Sequence, residues 1–367
     1  MDIKKNLSNL FGSRIERKLI IIESDDWGSI RMPSLEVFDR LKKYGFPVDK
    51  SHFNLYDSIE SNDDMTTLFE TLSRFKDRKG NYPVITGVNV VANPDFDAIK
   101  RNGFQSFEYE PYTETLKQYK NSDKVYDLWK EGIEKKVVYS IFHGREHLNV
   151  QRWMRYLRSN NTDVHYAFEN KLTGFPKRNE KLLSGDLQAA FDIDYQEDIE
   201  YLKIVLDTGL DLFEELYGYK SEYFVPTNGW FNNMLEKTLY EKGVKYVNTS
   251  KIHIEPLGNG NFRKHYRYIG KKNKLGQTYI TRNCFFEPSS NQTKDWIGSC
   301  LKEIEIAFNW KKPAVISTHR VNFIGRLHPE NRDNTHKQLS ELLTKILKIW
   351  PDVEFVTSVE LGNIINK

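Results

Sequence analysis

Three short segments of this 367-residue chain bring together side chains able to do metal and acid–base chemistry. Each follows a run of apolar residues. Glu23-Ser24-Asp25-Asp26-Trp27-Gly28 follows Leu19 to Ile22, His143-Gly144-Arg145-Glu146-His147 follows a run ending at Phe142, and His319-Arg320 follows Ala314 to Thr318. Strands that run from a buried interior into polar side chains fit a parallel α/β sheet, whose reactive face lies at the strand C-terminal ends. His143 and His147 are spaced i, i+4, so a helical turn after the strand would place both imidazoles on one face. Asp26 adds a hard oxygen to the two nitrogens, and such a set leaves positions open for water and substrate. Adjacent residues on a regular strand point to opposite sides, so Asp25 and Asp26 suit two roles. One can bind the ion, while the other can take a proton from an activated water. His319, across the site, suits proton donation to a leaving group. Plainer readings exist: a turn or helix cap for the Asp pair, a solvated helix face for the His pair, a structural role for His319. The coincidence of three such strand ends favours chemistry.

The elements that must position these residues alternate along the chain. Strands are expected over Lys18–Glu23, Val84–Val91, Lys136–Phe142, Glu222–Val225, Lys245–Asn248, Ala314–Thr318 and Val353–Val356. Helical periodicity covers Pro33–Lys43, Asp64–Arg78, Glu114–Glu134, Val150–Arg158, Asp194–Tyr217, Asn232–Lys242, Thr293–Asn309 and Asp333–Ile349. This alternation points to α/β with parallel strands. Residues His265 to Phe286 read as a β-hairpin around Gly270–Gly276. No linker or internal repeat interrupts the series, so one domain over residues 1–367 is expected, with insertions around 92–135 and 159–185.

Composition narrows the function classes. With 54 Lys+Arg against 51 Asp+Glu the net charge is +3, which argues against a nucleic-acid binder. Hydrophobic residues make up 39% and charged residues 29%, a globular balance without a membrane span. Cys284 and Cys300 are the only cysteines, enough for neither a disulfide framework nor a cysteine-rich zinc site. No signal-peptide pattern follows Met1, so a cytoplasmic location is expected.

In combination, these residues resemble the NodB-homology polysaccharide deacetylases, metal-dependent enzymes that remove acetyl groups from sugars. Asp25-Asp26 matches the family's first motif, His143 and His147 its H-(S/T)-x-x-H motif with Gly144 in the Ser/Thr place, and His319 its C-terminal histidine motif. Asp295-Trp296 resembles the fourth motif. The segment Phe224-Val225-Pro226-Thr227-Asn228-Gly229 falls where the third motif belongs, but Val225 replaces the arginine that orients the base. Arg31, Arg145 and Arg320 are the candidates to substitute for it. Ser317 stands where the family has an apolar residue lining the acetyl pocket. The 117 positions from Asp26 to His143 exceed the usual spacing and imply an insertion.

The resemblance implies a distorted (β/α)7-type barrel and a hydrolase acting on an N-acetylated sugar or polysaccharide precursor. Asp25 and His319 would be catalytic, and Asp26, His143 and His147 would hold a divalent ion. Zinc suits that ligand set best, with cobalt, nickel or manganese as alternatives. Trp296, Thr227, Arg320 and Arg31 are the residues expected at the substrate, with a backbone N–H near Thr227 facing the oxyanion. The same metal site acting on another C–N or ester bond, and an inactive carbohydrate-binding relative, are the competing readings.

Overall fold

The computed structural model describes Asn6, residues 9–178 and residues 185–367. Its centre is a parallel sheet of nine strands: β1 (Leu19–Trp27), β2 (Ile85–Val90), β3 (Val138–Gly144), β4 (Tyr223–Phe224), β5 (Tyr246–Asn248), β6 (Thr278–Ile280), β7 (Cys284–Phe285), β8 (Ala314–His319) and β9 (Glu354–Phe355). The spatial order is β6-β5-β4-β3-β2-β1-β8-β7, with β9 also paired to β1. The two ends of this row, β6 and β7, are joined by residues 281–283 alone. Three residues reach only about 10–14 Å, so the sheet must curl until its edges nearly meet. The result is an α/β barrel with a seam, and the side chains of residues 281–283 are delivered at that seam.

Period-two alternation divides the strand residues between two cores. Ile20 and Ile22 belong to the cluster shared with the surrounding helices. Leu19 and Ile21 pack inside the barrel with Val88, Ile141, Tyr223 and Val315. Counting onward by two from these interior residues reaches Glu23 and Asp25 on β1, His143 on β3, and Ser317 and His319 on β8. The reactive side chains are therefore the next rung of the barrel's interior ladder.

Local signals set the helices. Ser34 accepts from the Val37 N–H at 3.2 Å to start the helix Leu35–Tyr44, and Gly45 ends it at φ 105°. A reciprocal Ser61–Asp64 capping box opens Asn62–Leu72. The helix Asp198–Tyr217 runs to Gly218. None of the described helices is long and apolar enough to cross a membrane.

Two expectations need correction. The stretch His265–Phe286 is a hairpin only in its middle: an antiparallel turn closes around Gly270–Gly276, with the Gly270 N–H donating to the Tyr279 carbonyl, the Tyr279 N–H to the Lys271 carbonyl and a bridge between Lys272 and Thr278. Thr278–Ile280 and Cys284–Phe285 enter the main sheet as parallel strands on opposite edges, and a longer antiparallel ribbon lies earlier, pairing Ile252–Gly258 with Asn261–Tyr266. Glu114–Glu134 is two helices, Tyr112–Lys117 and Val125–Glu134, with left-handed Asn121 between them. Of the insertion expected around 159–185, residues 162–169 form a helix, and 179–184 lie outside the described residues.

The helix Pro329–Ile349 carries a buried histidine that bears on acid stability. His336 Nδ1 lies 3.0 Å from Thr71 Oγ1, and burial, with Arg332 next, lowers its pKa to about 4. Between pH 6.5 and 4 the unfolded chain thus binds the proton that the native state refuses, so stability falls as pH drops through that window. A 2.5-unit gap corresponds to about 3 kcal/mol at full protonation of the unfolded chain. In His336→Gln, the loss of unfolding free energy between pH 7 and pH 4.5 is expected to be smaller, measured by denaturant titration at each pH. An unchanged pH dependence would refute the assignment.

Candidate active site

Asp25 and Asp26 both open into one cavity, which a regular strand would forbid. The register of β1 against β2 shifts between Ser24 and Trp27, and Asp26 adopts φ 80°. A non-glycine residue in that region costs about 1–3 kcal/mol and persists where its surroundings over-determine it. Arg31 supplies one such restraint, donating from Nη2 to Asp26 Oδ2 at 2.8 Å. The cavity has a volume of about 490 Å³ and is lined by Asp25, Asp26, His143, His147, Arg282 and His319 among others.

Asp26, His143 and His147 are all buried, and one ligand atom from each lies within 4.8 Å of the others. Asp26 Oδ1 faces His143 Nε2 at 3.6 Å and His147 Nε2 at 3.0 Å. His143 Nδ1 sits 2.7 Å from the Val225 carbonyl, so that nitrogen carries the proton and Nε2 presents its lone pair to the site. Nε2 of His143 is buried and has no hydrogen-bond partner, as expected of a nitrogen kept for a metal. Burial, with Arg31 next, lowers the His147 pKa to about 4, which keeps the ring neutral and able to ligate. Burial alone would raise the Asp26 carboxyl, but Arg31 and His147 override it and hold it well below the usual range. The donor set therefore fits a divalent ion.

The His pair does not arise from a helix. Val91 and Ala92 donate to the Arg145 carbonyl at 3.1 and 2.7 Å, which pins residues 145–148 in an irregular bend. The two rings meet because Gly144 turns the chain at φ 148°, leaving their centroids 5.1 Å apart.

Asp25 is gripped by Arg282, the central residue of the seam. Its Nη1 and Nη2 each donate to a different oxygen of Asp25 at 2.6 Å, and Nε donates to Glu23 Oε2 at 2.5 Å. Glu23 is fully buried and also accepts from Tyr223, Asn248 and Ser358. Burial works against an ionised Asp25, yet Arg282 prevails and lowers its pKa, so the carboxylate is charged at neutral pH. Glu287 does the opposite for His319. Its Oε1 lies 2.6 Å from His319 Nδ1, and its Oε2 accepts from Asn322 at 2.6 Å. Burial opposes the imidazolium, but Glu287, with Asp26 and Asp25 beyond it, raises His319 to about 10. His319 Nε2 stands 3.8 Å from Asp25 Oδ2. An ionised carboxylate thus faces a protonated imidazole, the pairing that a base and an acid require.

Several residues expected at the substrate lie elsewhere. Arg320 is completely buried, forking onto Asp57 and reaching Glu60 at 2.8 Å, where it braces the loop after β1. Thr227 is also fully buried, its Oγ1 accepting from the Ala190 N–H at 2.8 Å, while its neighbours Pro226 and Asn228 line the cavity. Asp295 caps the helix Trp296–Asn309, and Trp296 packs into the core shared with the helices. Arg31 does border open space, a smaller cavity on the other side of Asp26 and His319. Of the cations proposed to replace the arginine absent at Val225, Arg31 pairs with Asp26, Arg145 with Glu146 and Arg320 with Asp57. The guanidinium that reaches Asp25 is instead that of Arg282. It and Glu287 were missed in the sequence, where the only signal was a lone arginine and a lone glutamate flanking Cys284–Phe286.

This arrangement is a parallel α/β barrel whose strand ends gather two aspartates and three histidines, three of which could together hold a metal ion. No protein-family model and no curated protein matches the chain. Among solved structures, it is similar to a Parabacteroides distasonis protein described as a glycoside hydrolase/deacetylase, at TM-score 0.50 and 10% identity, covering 96% of this chain and 72% of that one. A Mycobacterium smegmatis protein described as a polysaccharide deacetylase aligns at TM-score 0.45 and 12% identity over 97% of this chain and 95% of that one. One from Pseudomonas aeruginosa, described likewise, aligns at 0.47 and 9% over 95% and 91%. The likeness is one of fold, a parallel α/β barrel.

Proposed function

We propose that the protein is a metal-dependent hydrolase that removes an acetyl group from an N-acetylated sugar. The observation that carries this reading is the convergence of Asp26, His143 and His147 on one point, with Asp25 and His319 on the same cavity. Asp26, His143 and His147 would hold a divalent ion, whose chemistry there would be Lewis-acid polarisation of a carbonyl and a lowered pKa for a water. Asp25, ionised and aligned by Arg282, takes the proton of the attacking water. His319, charged through Glu287, gives its Nε2 proton to the departing amine. The absence of an arginine at Val225 does not favour the inactive reading, because Arg282 delivers a guanidinium to the same carboxylate.

The test is acetate release from N-acetylated sugars with zinc, cobalt, nickel or manganese supplied. The native protein is expected to turn over and Asp25→Ala to stop. Failure of the native protein on every such sugar would remove the proposal. Ser317 favours a second reading, in which the acyl group differs from acetyl. Its Oγ accepts from Arg282 at 3.1 Å and makes the cavity wall polar where an apolar residue would fit a methyl. Faster release of a larger or polar acyl group from the same sugar would establish it.

A further inference from the structure

We propose that the ribbon formed by Ile252–Gly258 and Asn261–Tyr266 seats the protein on an anionic phospholipid surface. The pairing register places Ile252 opposite Tyr266, Ile254 opposite Lys264 and Pro256 opposite Phe262, so these six share one face. The other face is turned inward. His253 packs on Phe231 with centroids 4.6 Å apart, and Glu255 accepts from the Asn233 N–H at 3.2 Å. On the outward face Ile252 is 51% exposed, Phe262 53% and Tyr266 73%. Large apolar side chains gathered this way on solvent mark an interaction surface.

Charge says what the surface meets. Between Glu255 and Glu287 the chain contains no acidic residue and seven Lys or Arg. Two of the seven, Arg267 and Arg282, are turned into the protein and already engaged. Arg263 shares the inward face with Glu255 and stands 3.9 Å from its carboxylate, while Lys264, Lys272 and Lys274 are exposed, Lys271 is half-exposed, and Leu275 projects at the following turn. Exposed apolar and aromatic side chains that share their face with Lys264 and run on into a cationic, acid-free segment suit a bilayer interface, where the former enter the headgroup layer and the latter meet anionic lipid. A second copy would bring the same cation field against itself. An acidic polysaccharide would satisfy the cations but leave Ile252 and Leu275 without a contact. The ribbon rises from Ser250 and Lys251 on the cavity wall, so docking would hold the cavity beside the headgroups.

The experiment is co-sedimentation of the full chain with phosphatidylcholine vesicles, with and without phosphatidylglycerol. Binding is expected only with phosphatidylglycerol. The variant Lys264→Gln/Lys272→Gln/Lys274→Gln should partition on the order of a hundredfold more weakly. Phe262→Ser/Tyr266→Ser should retain only binding that salt abolishes. Both variants change exposed side chains, and circular dichroism checks that they fold. Turnover of a soluble sugar amide, if the native protein shows it, should be unchanged in both, which separates this proposal from the hydrolase reading. No vesicle binding, equal binding to neutral vesicles, or undiminished binding by the triple variant would overturn it. So would a dimer that dissociates in Phe262→Ser/Tyr266→Ser, or retention on an acidic polysaccharide without retention on vesicles.

Discussion

Replacing Arg282 with methionine is expected to cost about 3–5 kcal/mol of unfolding free energy and to abolish turnover, because it strands two buried carboxylates at once. Glu23 would keep its bonds from Tyr223, Asn248 and Ser358, so its loss is partial. Asp25 would lose both of its 2.6 Å guanidinium bonds while remaining nearly buried. Without that cation, burial is opposed chiefly by His319, and the carboxyl shifts towards the protonated form, which cannot accept a proton from water. Arg282→Lys should recover part of the stability through its charge but little turnover, since an ammonium cannot fork onto both oxygens. The double variant Arg282→Met/Glu23→Gln should recover stability relative to Arg282→Met and remain inactive. Denaturant titration and initial rates read the two effects apart. A stability loss below about 1 kcal/mol for Arg282→Met would show that the clamp does not hold the site together.

The second large effect is expected at Asp26, His143 and His147, the residues proposed to hold the ion. Zinc added to the metal-free native protein should raise its unfolding free energy by about 2.7 kcal/mol at a hundredfold excess over the dissociation constant. His143→Ala should lose that gain together with the activity. His143 is the cleaner position to change, because its remaining polar contact is the single bond to the Val225 carbonyl. Removing Asp26 would also strip Arg31 of a partner, and so would mix loss of metal with loss of a buried ion pair. Isothermal titration with zinc gives an independent reading. Equal affinity in the native protein and His143→Ala would mean that the ion, if bound, sits elsewhere.

The parts of the site carried by long buried strands were legible in the sequence. Leu19 to Ile22, the run into His143 and Ala314 to Thr318 each announce a strand, and the polar residues that follow have nowhere to go but the strand ends. The residues that tune the site were not legible. Arg282 lies between strands of three and two residues that pair at opposite edges of the sheet, and so short a segment with a nearby Gly-rich turn looks like a hairpin. Glu287 leaves no periodic trace because it precedes a single helical turn at Pro288–Ser290. Asp295-Trp296 misled in the other direction. An aspartate before a helix is also the ordinary way to cap one, and here it accepts from the Gly298 N–H at 2.8 Å. Arg320 shows that adjacency to a catalytic candidate says little about direction, since the residue after an inward strand position turns outward.

The barrel's seam has a consequence for how such proteins are found. The guanidinium that steadies Asp25 comes from residue 282, not from the neighbourhood of position 225, yet it arrives at the same carboxylate. A support of this kind is defined by where it ends, so several walls of the cylinder are equally good starting points for it. Patterns written as ordered letters along a chain lose sight of such a substitute, whereas a search for a fork-shaped cation beside the first of two strand-end aspartates would retrieve it.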